Sequence, residues 1–177
     1  FLLAEDYRLG LNGQAQNSTK ALQYYKKAAR YNNLPAIHNI GVHYELGHGV
    51  KPNTSKALQY YLKAAQQDYA PSQYKLSCFY AQGYGVEVDT LESIQWLRLA
   101  AQQGLPEAQY DLANYYTHGL GIEQDLSQAA LWYERAAQQG HVLAQATLAS
   151  LYEHGLGVVA NSTQAAHWYE QAAQKGH

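Results

Sequence analysis

Methionine is absent from this 177-residue chain, cysteine occurs once, proline four times, and only 15% of residues are charged. A lone cysteine, Cys78, excludes an intramolecular disulfide framework and any reading of redox compartment from it. No apolar run approaches the roughly 18 residues that a membrane-spanning helix requires. A net charge of −2 provides no general pull toward nucleic acid or an anionic bilayer. Phe1-Leu2-Leu3-Ala4 is too short for a signal peptide and has no basic start. Without methionine at position 1, the chain is expected to be a processed product or an excerpt. The low bulk charge hides an uneven distribution. Residues 1–88 hold nine Lys/Arg and five Asp/Glu, whereas residues 89–177 hold three and nine. Ordinary drift on solvated helix faces accounts for such a split.

Glycine, in contrast, is placed at regular intervals. The pairs Gly47/Gly49, Gly83/Gly85, Gly119/Gly121 and Gly155/Gly157 recur every 36 residues. A period in this range marks stacked supersecondary units, each packing on its neighbours. Other positions repeat in phase. One slot holds Tyr44, Tyr80, Tyr116 and Tyr152, and another holds Tyr60, Trp96, Trp132 and Trp168. Paired alanines stand at 64/65, 100/101, 136/137 and 172/173. Apolar spacing of i, i+4 in both halves of each repeat predicts two helices. The first, A, is expected over 35–46, 71–82, 107–118 and 143–154. The second, B, is expected over 54–67, 90–103, 126–139 and 162–175. The alanine stripe lets B helices approach their neighbours closely, and the Tyr/Trp slot fills the space between successive pairs.

The helix ends have local causes. The first glycine of each pair suits a left-handed C-terminal cap, and the second permits a tight reversal. Val50, Val86, Ile122 and Val158 then turn back inward. Asn17, Asn53, Asp89, Asp125 and Asn161 stand where B helices need N-caps. Asp89-Thr90-Leu91-Glu92 reads as a capping box. Gly104, Gly140 and Gly176 end B helices. Residues 1–33 form a partial repeat whose first loop carries one extra residue, followed by full repeats 34–69, 70–105, 106–141 and 142–177. Both ends fall inside the frame, as expected of a piece cut from a longer array.

The series Leu-Ala-x-x-Tyr, Gly-x-Gly-Val, Asp, Ala-x-x-Trp, Ala-Ala, Gly resembles the Sel1-like repeat family, longer-period relatives of tetratricopeptide repeats. The resemblance covers essentially the whole chain. It departs where Ser93 replaces the alanine of Ala129 and where Asp68 replaces the glycine of Gly104. It implies an all-α fold, a right-handed superhelix of antiparallel helix pairs with A helices on the concave side. It also implies an adaptor that holds other proteins together, and it leans toward a bacterial, exported or envelope-associated location. By similarity to tetratricopeptide grooves, two A-helix rows line the concave face. One is His38, Tyr74, Tyr110 and Ala146; the other, one turn later, is Val42, Cys78, Asn114 and Ser150. Glu45, Ala81, Thr117 and Glu153 continue the stripe. This aromatic, neutral lining suits an extended or helical peptide segment, with amide bonds such as one from Asn114. Inter-repeat packing alone would equally account for Tyr74 and Tyr110.

Chemistry finds few footholds. His118 and His154 occupy one slot at A-helix C-termini, where the dipole favours a cation. His43 and Glu45 are near in sequence but on different helix faces. No His-x-x-x-His or His-Glu-x-x-His spacing occurs, which argues against a metal site within a repeat. Cys78 has no evident orienting partner for nucleophilic work. No catalytic residue, metal or cofactor is expected. Three Asn-x-Ser/Thr sequons begin at Asn17, Asn53 and Asn161, and helix capping explains all three. Lys26, Lys27 and Arg30 lie among Tyr24, Tyr25 and Tyr31. The two tyrosines Tyr24 and Tyr25 are expected in the core and the basic residues on a solvated face, so no nucleic-acid partner is inferred. An exposed apolar end could pair with another copy. Two other readings stay open: an architectural spacer in a larger repeat protein, and a β-lactam-binding hydrolase. The hydrolase reading lacks both the paired cysteines of the relatives that suggest it and a Ser-x-x-Lys motif.

Overall fold

The computed structural model describes residues 1–174, and among them every regular element is a helix. The A helices are α1 (Leu2–Leu9), α3 (Leu34–Leu46), α5 (Ala70–Gln82), α7 (Pro106–His118) and α9 (Val142–His154). The B helices are α2 (Ser18–Ala29), α4 (Thr54–Ala65), α6 (Thr90–Gln102), α8 (Leu126–Gln138) and α10 (Ser162–Gln174). Expected boundaries hold to within one or two residues. Gly176 as a helix terminator lies outside the described residues. The chain divides into two compact units, Phe1–Asp89 and Thr90–His177. In each unit, consecutive helices joined by short loops pack as neighbours.

Both glycine slots do what the spacing predicts, and the second does more. Gly47, Gly83, Gly119 and Gly155 are left-handed C-caps whose N–H returns to the carbonyl four residues back. The second glycine also lies against the B-helix N-terminus of the preceding repeat. A Cβ on Gly157 would stand 2.1 Å from the Leu126 carbonyl oxygen. One on Gly49 would meet the Thr19 nitrogen at 2.5 Å. The loop is thus a joint between repeats as well as a reversal.

Four N-caps form as expected. The side chains of Asn17, Asn53, Asp125 and Asn161 accept from the backbone N–H three residues on, at 2.8–3.1 Å. At the expected capping box, the Asp89 N–H donates to the Tyr80 carbonyl at 2.9 Å, and Glu92 accepts from Trp96 Nε1 at 2.9 Å. Asp68 takes the glycine's left-handed conformation (φ 59°), one that Asn and Asp tolerate better than most residues.

The core differs from expectation in one slot. The Tyr/Trp slot is largely peripheral: Tyr24, Tyr60, Trp96 and Trp168 are half-buried, and only Trp132 is buried. Tyr24 is therefore not the core residue expected. It stacks on Tyr7 at 5.6 Å between ring centroids, as Tyr60 stacks on Tyr44 at 5.8 Å. The next residue along the B helix fills the interior, and Tyr25, Tyr61, Leu97 and Tyr133 are no more than 1% exposed. A tyrosine one residue later on a helix points about 100° away, into the sheath of alanines instead of along its edge.

Candidate functional site

The A-helix rows are built around those buried tyrosines. Each Tyr is apolar along its ring and polar at its tip, so a buried one needs an acceptor at the far end. The A helix of the same repeat supplies it. Tyr25 donates to Glu5 Oε1 and Tyr61 to Glu45 Oε2. Tyr133 donates to Asn114 Oδ1 at 2.6 Å, with Thr117 Oγ1 3.3 Å away. Tyr169, the exposed counterpart in the last repeat, makes the same bond to Glu153 Oε2 at 2.9 Å. Burial, then the bonded carboxylate, pushes the Tyr25 and Tyr61 hydroxyls well above the usual phenol range.

In the first unit, His38, Val42, Tyr74 and Cys78 are all half-buried. His38 Nδ1 lies 2.9 Å from Ser72 Oγ, with its ring 5.3 Å from Tyr61 and 5.5 Å from Tyr69. Burial, followed by the nearby Lys75 charge and opposed by Glu45, lowers its pKa to about 4. His38 is therefore neutral at pH 7. Glu45 is held by Tyr61 and by Lys75 Nζ at 3.0 Å. Val42 borders a cavity of about 370 Å³ with Arg8, Leu9, Asn39, His43 and His48. His43 is buried there, its Nδ1 donating to the His48 carbonyl at 2.6 Å. Burial lowers the His43 pKa too.

In the second unit, Tyr110, Asn114, Ala146 and Ser150 are half-buried. The Tyr110 ring stacks on His141 at 4.7 Å. Asn114 Oδ1 is occupied by Tyr133, so only its amide N–H groups remain for an outside acceptor. Ser150 lies beside His154, whose Nδ1 donates to the Ser150 carbonyl at 2.9 Å. The two A-helix rows thus combine ring faces with polar groups already tied inward. They can hold a ligand by contact and a few hydrogen bonds. Among the described residues, no group of three or more His, Cys, Asp or Glu is placed to hold a metal ion, and no helix is long and apolar enough to cross a membrane.

One buried set escaped the sequence reading. Gln73, Gln109 and Gln145 recur at 36-residue spacing and are at most 4% exposed. Each Nε2 donates to the second alanine carbonyl of the preceding B helix, to Ala65, Ala101 and Ala137 at 3.0–3.2 Å. Their periodicity was the available signal, although a polar side chain on an apolar face is easily assigned to the surface.

These features belong to a family of helical repeat proteins. The Sel1 repeat profile matches residues 1–32, 34–69, 70–105, 106–141 and 142–177, so the chain is a member of the Sel1 repeat family. Among solved structures, it is 34% identical to a Sel1 repeat protein from Oxalobacter formigenes, with a TM-score of 0.93 over 99% of this chain and 71% of that one. It is 33% identical to a protective antigen of uropathogenic Escherichia coli that displays the same fold, with a TM-score of 0.91 over 99% of this chain. The chain spans 38% of that antigen's length. Helicobacter pylori cysteine-rich protein B matches over 70% of this chain and 89% of its own, at 25% identity and a TM-score of 0.56. No curated protein matches.

Proposed function

We propose that the chain is a non-catalytic interaction scaffold whose A-helix rows hold a peptide or protein segment. The repeat fold is commonly used this way. The observation that carries the reading is the half-exposure of Tyr74 and Tyr110 at one repeat slot, beside polar groups fixed by internal bonds. Such a surface is pre-ordered, so binding loses little side-chain entropy. His38, Val42, Tyr74 and Cys78 offer one stretch on the first unit; Tyr110, Asn114, Ala146 and Ser150 offer another on the second. His38 adds an uncharged ring at neutral pH, and the Asn114 amide N–H groups can meet a backbone carbonyl. The test compares pull-downs by the wild type and by Tyr74→Ala/Tyr110→Ala. Loss of specific partners with unchanged circular dichroism is expected, and equal recovery would reject the reading.

A further inference from the structure

A second surface of the first unit lies where B helices meet the ends of their A helices. Two A-helix tyrosines stack on two B-helix tyrosines, Tyr7 on Tyr24 and Tyr44 on Tyr60. Lysines stand over the rings. Lys20 Nζ is 5.0 Å from the Tyr7 centroid and Lys27 Nζ 4.8 Å from that of Tyr24. Lys26 and Lys56, from different repeats, share Tyr44 at 5.6 and 5.3 Å. Lys63 joins Tyr44, Lys56, Gln59 and Tyr60 around a cavity of about 310 Å³. The rings fix where the ammonium groups sit, a cation–π arrangement that limits the freedom of long side chains.

Nothing in the unit neutralises these charges. Lys20, Lys26, Lys27, Lys56 and Lys63 are exposed, and among the described residues none has a carboxylate within 4.0 Å. The first unit carries nine Lys/Arg against six Asp/Glu. Nor does the repeat require lysine here. The slot of Lys20 and Lys56 holds Glu92, Gln128 and Gln164 in the other repeats, and that of Lys27 and Lys63 holds Leu99, Arg135 and Gln171. Uncompensated like charges on adjacent turns repel, which disfavours the folded state slightly. A partner that brings negative charge would relieve that repulsion.

We propose that this lysine–tyrosine ladder docks an acidic protein segment, whose carboxylates pair with the ring-held ammonium groups. A nucleic acid fits less well. Stacking of bases needs open ring faces, and each of these tyrosines carries a stacked ring, with ammonium groups also over Tyr7, Tyr24 and Tyr44. This surface shares no residue with the two A-helix rows, so either can fail alone.

The test is fluorescence polarisation with the 177-residue protein and a labelled oligoglutamate peptide, with labelled oligothymidylate in parallel. The expected result is oligoglutamate binding that weakens as salt rises. Lys20→Gln/Lys27→Gln and Lys56→Gln/Lys63→Gln should each weaken it about tenfold, with circular dichroism unchanged, while Arg135→Gln in the second unit should not. Absence of binding, or indifference to the lysine pairs, would overturn the proposal. Tighter binding of oligothymidylate would assign the ladder to nucleic acid instead. Wild-type self-association in sedimentation, abolished by Lys56→Gln/Lys63→Gln, would assign it to a second copy and equally overturn the proposal.

Discussion

Tyr61 shows how a single side chain can be both core and connector. Its ring packs edge-on against Phe79 at 5.4 Å, and its hydroxyl donates to Glu45, which also holds Lys75. Tyr61→Phe keeps the packing but leaves Glu45 with one partner fewer. It should cost about 1–2 kcal/mol in urea unfolding. The same crowding bears on Gly41, where a Cβ would lie 2.7 Å from Tyr61 Cε1, although the matching slots hold Ser77, Ala113 and Ala149 without difficulty. Gly41→Ala is expected to destabilise by about 1–3 kcal/mol through overpacking, again read by urea unfolding. His38 sets a pH dependence. Its pKa is about 4 in the folded chain and near 6.5 when unfolded, so between these values the unfolded chain binds the extra proton. Stability should therefore fall on acidification from pH 6.5 toward 4, by up to about 1.4 kcal/mol per pH unit from this group. His38→Gln should flatten that part of the curve, and an NMR titration of the ring should place its midpoint below the ordinary histidine range.

At the level of elements, the loops are under tighter constraint than their exposure suggests. Gly157→Ala would push a methyl group into the Leu126 carbonyl and also demand a left-handed alanine at φ 72°. It should cost more than about 2 kcal/mol by thermal or urea unfolding, well above a typical surface substitution. Helix placement was legible in the sequence because three signals agreed: i, i+4 apolar spacing, glycine C-caps and Asn/Asp N-caps. The buried aromatic slot was not, because Tyr60 and Tyr61 look alike in composition and a helix turns about 100° between them. The A-helix rows were legible as periodic positions. What each row can offer was not, since that depends on internal bonds such as Tyr133 to Asn114, and hydroxyl partners across helices leave no spacing rule in the chain. The buried glutamines were visible only as a period.

For the whole molecule, repeats that pack mainly on neighbours give a stability that is a sum of units and joints. The outermost helices should then be the least protected. α1 buries only Ala4 and α10 only Ala165 and Ala172, whereas α8 buries six residues, including Trp132 and Tyr133. Hydrogen exchange of the 177-residue chain should show α1 and α10 opening first and α8 last among the B helices of its unit. Uniform protection across α8 and α10 would contradict this. The glutamine bonds to the Ala65, Ala101 and Ala137 carbonyls carry a consequence for how such a molecule can change over generations. Both halves of every fastener lie within a stretch of one period, so a duplicated or deleted segment of that length brings or removes its own fittings. The protein can lengthen or shorten by whole units while the remaining seams stay intact.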